Sequence, residues 1–274
     1  MAIMFRTFSV ITFSILAVFS VLGQSLASPS AQNFHSRARL ISGGQENGTW
    51  LAGIEIALDP GFKTYWRNAG DSGLPPRFDW SGSENASSIE IQWPAPSRTE
   101  DAAGVAHTYS GTVVLPVLVK AKEQGKPVKL KLTADYGICK DICIPAHAEI
   151  DTVLSGNEAN RAAIRKALAK VPRPQALGAE GDLSVVSVES LKQDKPGLSV
   201  KVRAPDGAKP TLFAEGPEDW YLSTTLPDGD NRFTVTVEEK PKNTAGPVPL
   251  RLTLVAGDKA VETEVSLDGG GQPR

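Results

Sequence analysis

The chain has 274 residues, a formal net charge of −2 and an apolar fraction of 41%. This charge argues against a nucleic-acid surface, which needs an excess of basic residues. The apolar content is high enough for packed cores and argues against a disordered chain. The 20 prolines and 25 glycines predict many turns and few long helices.

Residues 1–27 have the pattern of a cleaved signal peptide. Arg6 precedes an uncharged apolar run over residues 8–22, and the triplet Ser25-Leu26-Ala27 has the small residues that a signal peptidase accepts. An uncleaved membrane anchor is the alternative, but the run is short for a bilayer span. We therefore expect export and cleavage after Ala27.

Apolar residues alternate with polar ones over residues 37–154, which predicts a series of short β-strands within a domain at residues 28–155. Pro116 lies within one of these runs and predicts an edge strand or a bulge. Short strands separated by turn residues are typical of a sandwich, so this region is predicted to be a β-sandwich. The alternating runs are Ala52–Leu58, Phe62–Trp66, Ile89–Trp93, Val113–Val119, Val128–Tyr136 and Ala146–Thr152.

Residues 156–181 break this pattern. Apolar residues recur at helical spacing over residues 157–171, Asn157 is placed to cap the start, and Pro172 follows the end. This pattern predicts a short helix followed by a linker that together separate two domains.

Alternation returns over residues 182–268. Residues 248–254 and 261–267 are expected to pair as a hairpin around the turn Gly257-Asp258. The predicted fold class is therefore all-β, with two immunoglobulin-like β-sandwiches joined by a short helix and linker. Residues 269–274, which include three consecutive glycines, are expected to form a disordered tail.

Cys139 and Cys143 are the only two cysteines. An exported protein meets an oxidising compartment, so the pair is expected to form a disulfide. In one straight strand the two residues would lie about 13 Å apart, which is too far for this bond, so they must flank a tight bend. Closing so short a loop contributes only about 2 kcal/mol, which favours a redox-active pair over a structural staple.

A metal site is a further alternative for the same residues. The spacing Cys139-x3-Cys143-x3-His147 offers two thiolates and an imidazole, which suit Cu(I), whereas zinc normally needs a fourth ligand. His147 lies in an alternating run, which also suits an exposed histidine with no ligand role. We expect no cofactor. The sequence has no Gly-x-Ser-x-Gly, phosphate-loop or His-Glu-x-x-His motif, and we expect no small-molecule substrate.

Four segments resemble a known family when they are taken in order along the chain: Gly61–Pro76, Ile91–Pro94, Tyr109–Pro116 and Tyr136–Pro145. Together they resemble the N-terminal periplasmic domain of the DsbD and ScsB type thiol:disulfide interchange proteins, over residues 36–155. The second sandwich is similar to the additional immunoglobulin-like domain of ScsB-type proteins.

This resemblance implies a function in the periplasm. Such a domain takes reducing equivalents from a membrane-embedded thiol reductase and passes them to periplasmic thioredoxin-fold proteins. It thereby acts like a protein-disulfide reductase, with a link to cytochrome c biogenesis. The sequence shows neither the membrane domain nor the thioredoxin-like domain into which full-length relatives continue, so a separate membrane partner is expected.

The resemblance also implies roles for individual residues. The catalytic pair maps onto Cys139 and Cys143, with Cys143 forming the mixed disulfide and Cys139 resolving it. The charges of Lys140 and Asp141 oppose each other and do not decide between the sulfurs. A cap loop over the sulfurs is expected at residues 100–109. The residues expected to bind the partner or form the cap are Tyr65, Trp66, His107 and Tyr109.

Overall fold

The computed structural model describes residues 30–102, 104–191, 194–242, 244, 246–268 and 273. This part of the chain is almost entirely β-structure, arranged as two sandwich units with one helix between them, which confirms the predicted fold class. The predicted signal peptide at 1–27 lies outside the described residues, as do residues 269–272 and 274 of the predicted tail. No helix in the described part is long and apolar enough to cross a membrane.

The first unit consists of two antiparallel sheets that share one core. The first sheet has five strands in the order β1 (Ser30–Asn33), β2 (Ser36–Glu46), β3 (Thr49–Leu58), β9 (Thr112–Ala121) and β6 (Ala86–Ile91). The second sheet has the order β11 (Cys143–Val153), β10 (Lys129–Cys139), β4 (Lys63–Gly70), β8 (Gly104–Ser110) and β7 (Ser97–Asp101), and β5 (Arg77–Asp79) also pairs with β10.

The core of this unit is formed by the apolar side chains that lie at every second position of each strand. Successive side chains point to opposite faces, so every second residue reaches the space between the sheets. Leu40, Ile54 and Leu115 from the first sheet meet Leu130 and Leu132 from the second, and all five are almost fully buried. Burial of such a side chain stabilises the fold by about 1.5–3 kcal/mol.

The helix α1 (Arg161–Leu168) packs on the outer face of the first sheet. Its one fully buried side chain, Ile164, lies against Ile41 and Leu51. The Arg161 guanidinium donates to the carbonyl of Gly43 at 2.8 Å. These contacts attach the helix to the first unit.

Two local predictions from the sequence are wrong. Pro116 lies inside β9, between β3 and β6, and pairs with Gly53 without a bulge. β6 ends at Ile91, and the Pro116 carbonyl accepts the N–H of the next residue, Gln92, at 2.7 Å. The N–H that proline lacks would therefore face a position where the β6–β9 pairing has already ended, so no strand hydrogen bond is lost. Asn160 occupies the N-cap position of the helix without a capping hydrogen bond from its side chain, and the Asn157 side chain accepts the N–H of Ala159 in a turn before the helix.

The second unit also packs two sheets around its own core, and their strands are antiparallel except for β12, which pairs in parallel with β19. One sheet has the order β12 (Arg173–Pro174), β19 (Lys259–Leu267), β18 (Val248–Ala256) and β15 (Thr211–Glu215). The other has the order β13 (Ser184–Leu191), β14 (Gly197–Arg203), β17 (Arg232–Glu239) and β16 (Tyr221–Thr224). The strands β18 and β19 form the predicted hairpin around Gly257-Asp258. The short strand β12 lies in the predicted linker and pairs with β19.

An apolar contact joins the two units. Phe213 on β15 is 1% exposed and belongs to the core of the first unit. Its ring lies 5.6 Å from Trp66 and 4.7 Å from His107, measured between ring centroids. Because these three rings exclude water, the contact resembles a protein interior more than a surface contact.

An ion pair lies beside this contact. Arg67 lies in β4, in the stretch between Tyr65 and Gly70 where the pairing with β8 is irregular. Its guanidinium donates to both carboxylate oxygens of Glu215, at 2.8 and 2.7 Å, and to Glu262 at 2.6 Å. The irregular segment therefore connects the sheet that carries the cysteines to the second unit.

Candidate redox site

Cys139 and Cys143 form a disulfide at the tip of the β10–β11 hairpin. Cys139 ends β10, Cys143 begins β11, and the register pairs them directly. The S–S distance is 2.03 Å and the two Cα atoms are 4.1 Å apart. The structure therefore has the tight bend that the cysteine spacing predicted.

The two cysteines differ in their exposure to solvent. Cys139 is 1% exposed, whereas Cys143 is an exposed residue. Ile142 precedes Cys143 at the apex of the turn and is 72% exposed. The ammonium of Lys140 lies 5.8 Å from the centroid of the Phe62 ring on the neighbouring turn. An approaching partner therefore meets Cys143, with an apolar side chain beside it.

Tyr65 on β4 contacts both sulfurs. Its hydroxyl donates to the sulfur of Cys139 at 2.7 Å and lies 3.2 Å from that of Cys143. Tyr65 is only 3% exposed. Its burial, together with the negative charge of Asp101, raises the pKa of the phenol above its ordinary value. The hydroxyl therefore keeps its proton at neutral pH and remains a hydrogen-bond donor.

Two glycines allow the chain to close around the Tyr65 ring. A Cβ on Gly73 would lie 2.6 Å from the Cδ1 atom of Tyr65, and a Cβ on Gly137 would lie 3.1 Å from its Cδ2 atom. Gly73 belongs to residues 71–76, the loop that follows β4, which we term the cover loop. Leu74 of this loop lies over Gly137. Side chains at these positions would displace the ring or the loop.

The cap predicted at residues 100–109 forms most of the β7–β8 hairpin. Ala106 of this hairpin belongs to the same buried cluster as Tyr65 and Cys139. Asp101 forms an ion pair with Lys63 at 3.2 Å. The sequence patterns did not predict that residues 71–76 cover the site, although these residues lie within the family-like segment Gly61–Pro76.

Of the four predicted cap or partner-binding residues, the structure brings Tyr65 to the disulfide. Trp66 points to the opposite face and is fully buried in the core. The Nδ1 atom of His107 donates to the Asn68 carbonyl at 2.9 Å, next to the second unit. The Tyr109 hydroxyl donates to the Pro94 carbonyl at 2.6 Å. These three side chains are therefore held elsewhere.

The alternative copper site formed by Cys139, Cys143 and His147 is not assembled. His147 pairs across the hairpin with Asp135, four positions along β11 from Cys143, which is about 13 Å at the rise of a strand. Its Nδ1 atom donates to the Asp135 carboxylate at 2.7 Å, and this bond raises the pKa of His147. Among the described residues, no group of three or more His, Cys, Asp or Glu side chains is arranged to hold a metal ion.

Residues 32–155, which include both cysteines and Tyr65, match the family described as thiol:disulfide interchange protein DsbD, N-terminal. A comparison with curated protein sequences gives no match.

Among solved structures, the chain is similar to the N-terminal periplasmic domain of ScsB from Proteus mirabilis. The two are 21% identical with a TM-score of 0.64, and the alignment covers 86% of this chain and 94% of that one. An endo-fucoidan hydrolase of glycoside hydrolase family 107 aligns at 12% identity with a TM-score of 0.25, over 77% of this chain and 34% of that one. The tandem immunoglobulin domains of titin align at 12% identity with a TM-score of 0.18, over 88% and 97% of the two chains.

Proposed function

We propose that this chain, whose residues 32–155 match the family of DsbD N-terminal domains, exchanges its Cys139–Cys143 disulfide with the thiols of partner proteins in the periplasm. The observation that carries this proposal is the asymmetry of the disulfide. Cys143 is an exposed residue, whereas Cys139 is buried and its sulfur accepts a hydrogen bond from a phenol.

The asymmetry gives each sulfur a separate role in the reaction. A partner thiolate attacks the exposed sulfur of Cys143, a new S–S bond forms to the partner, and the bond between Cys143 and Cys139 breaks. The electron pair of that bond goes to the sulfur of Cys139, which leaves as a thiolate. Tyr65 already donates to this sulfur, and its hydrogen bond strengthens as the negative charge develops.

A second thiol of the partner completes the exchange. It attacks the partner's own sulfur in the mixed disulfide and releases Cys143 as a thiolate. The partner is then oxidised to a disulfide, and the domain holds two reduced cysteines. In the opposite direction, the Cys143 thiolate attacks a partner disulfide and Cys139 resolves the mixed disulfide. The same geometry therefore serves both uptake and delivery of reducing equivalents.

The proposed physiological role is a relay. A membrane-embedded thiol reductase would reduce the pair, and periplasmic thioredoxin-fold proteins would reoxidise it. Two observations support this role: the family match over residues 32–155, and the fold shared with a periplasmic ScsB domain along 94% of that domain's length. The exposed Ile142 beside Cys143 offers an apolar contact for such protein partners.

Trapping of mixed disulfides tests the proposal. The variants Cys139→Ala and Cys143→Ala are each incubated with an oxidised thioredoxin-fold protein, and covalent complexes are separated without reductant. Cys139→Ala should trap a complex through Cys143, while Cys143→Ala should trap little because Cys139 is buried. Equal trapping by both variants would contradict the assigned roles. Absence of any complex, together with a wild-type disulfide that resists a dithiol, would refute the function.

A further inference from the structure

We propose that the second sandwich unit positions the redox site of the first, through a hydrogen bond from Tyr221 to Asp71 that holds the cover loop over Tyr65. Tyr221 begins β16 of the second unit, and Asp71 begins the cover loop. This inference rests on the proposed function only in that the disulfide must be reducible.

Asp71 binds the start of the cover loop both to the second unit and to β8 of the first unit. One carboxylate oxygen accepts the Tyr221 hydroxyl at 2.6 Å, and the other accepts the N–H of Val105 at 2.9 Å. The N–H of Asp71 also donates to the Val105 carbonyl at 2.7 Å. Glycines permit this close approach, since a Cβ on Gly70 would lie 2.5 Å from the Val105 oxygen and one on Gly104 would lie 2.7 Å from the Asp71 carboxylate.

The cover loop continues from Asp71 directly to the redox site. A Cβ on Gly73 would lie 2.3 Å from the Cβ of Ala69 and 2.6 Å from the Tyr65 ring, so the backbone lies against both. The Tyr65 hydroxyl in turn contacts both sulfurs. Contacts therefore run without a gap from the second unit, through the cover loop, to the disulfide.

Tyr221 acts on the redox site through Asp71 and the cover loop, so it is a positioning residue. Burial and the bond to Asp71 raise the pKa of Tyr221 well above its ordinary value, so the hydroxyl remains a donor. Beyond Asp71, Leu74 and Pro75 of the cover loop are exposed, with Leu74 44% exposed. Loss of the Tyr221 bond therefore removes one tie on the start of the loop. A looser loop lets the Tyr65 ring move, which weakens the hydrogen bond that stabilises the departing Cys139 thiolate.

The test uses the full chain and the rate at which dithiothreitol reduces its disulfide. Two thiols of dithiothreitol become its cyclic disulfide, and Cys139 and Cys143 become thiols. We expect Tyr221→Phe to lower this rate about fivefold, because Tyr65 then stabilises the leaving thiolate less well; this is the change that about 1 kcal/mol gives at 25 °C. Amide hydrogen exchange of residues 71–76 should accelerate in the same variant.

The matched control is Glu215→Gln, which weakens the Arg67 ion pair between the same two units without touching the cover loop. It should leave both the reduction rate and the exchange of residues 71–76 unchanged. If Tyr221→Phe changes neither quantity, or if Glu215→Gln changes them as much, the inference is overturned. If the two variants differ as expected but no partner forms a mixed disulfide, the proposed function fails while the positioning role stands.

Discussion

The histidine at the junction of the two units gives a quantitative prediction about pH. His107 is 6% exposed, and its ring packs edge-on against Phe213. Burial is the main cause that lowers the pKa of His107 to about 4, and the bond to the Asn68 carbonyl opposes this effect only in part. The histidine is therefore neutral in the folded protein near neutral pH.

The direction of the pH dependence follows from the two protonation states. The unfolded chain binds a proton at His107 near the ordinary pKa of 6.5, whereas the folded chain does not bind it until about pH 4. Well above pH 6.5 both states are neutral at this site, so His107 contributes nothing to the pH dependence of stability there. Below that pH the unfolded state gains protons, and the free energy of unfolding should fall by about 2 kcal/mol by pH 5.

The assay is denaturant unfolding at pH 7.5 and pH 5.0 of the wild type and of His107→Asn. Asparagine keeps a donor for the Asn68 carbonyl but does not titrate, so the variant should lose about 2 kcal/mol of the pH dependence. His147→Asn is the control. Its histidine has a raised pKa and stabilises the fold at low pH, so its removal should steepen the fall. An unchanged pH dependence in His107→Asn would refute the reasoning.

Three further predictions concern single side chains. Tyr65→Phe should slow attack on the disulfide by a partner thiolate roughly five- to tenfold, because the leaving thiolate loses its hydrogen-bond donor. Tyr109→Phe is the control and should not slow the attack, because the Tyr109 hydroxyl bonds to the Pro94 carbonyl. Thiol alkylation measures both rates. Ile142→Asp should slow exchange with a thioredoxin-fold protein more than reduction by dithiothreitol, whereas Val153→Asp, at the far end of β11, should slow neither. Phe213→Ala should cost about 3–5 kcal/mol in denaturant unfolding, against less than about 0.5 kcal/mol for the exposed Leu226→Ala, and equal costs would contradict the role of Phe213 in the core.

The redox hairpin could be predicted from the sequence because its determinants are local. Alternating runs on both sides of the cysteines predict two strands, and a disulfide between residues four apart requires the chain to turn between them. The same arithmetic places His147 far along β11 from the sulfurs. Strand geometry therefore argues against a copper site that the residue spacing alone leaves open.

The surroundings of the disulfide could not be predicted in the same way, because they depend on non-local contacts. Adjacent residues of a strand face opposite sides, so Tyr65 reaches the sulfurs while Trp66 enters the core. His107 turns toward Phe213 of the second unit, which no local pattern indicates. Gly73 and Gly137 are visible in the sequence, but their meaning depends on the ring that lies between them.

The predicted domains, a redox domain at 28–155 and a helix and linker at 156–181, can be tested with a fragment that lacks Phe213. A fragment of residues 28–171 keeps both sheets of the first unit and α1, so we expect it to fold and to form the disulfide. It lacks Phe213, so water reaches the His107 ring, and the pKa of His107 should rise from about 4 toward its ordinary 6.5. Titration of the His107 ring proton by NMR measures this shift, with His147 as an internal reference. An unfolded fragment would show that the boundary is wrong, and a His107 that stays neutral at pH 5 would show that the first unit alone buries it.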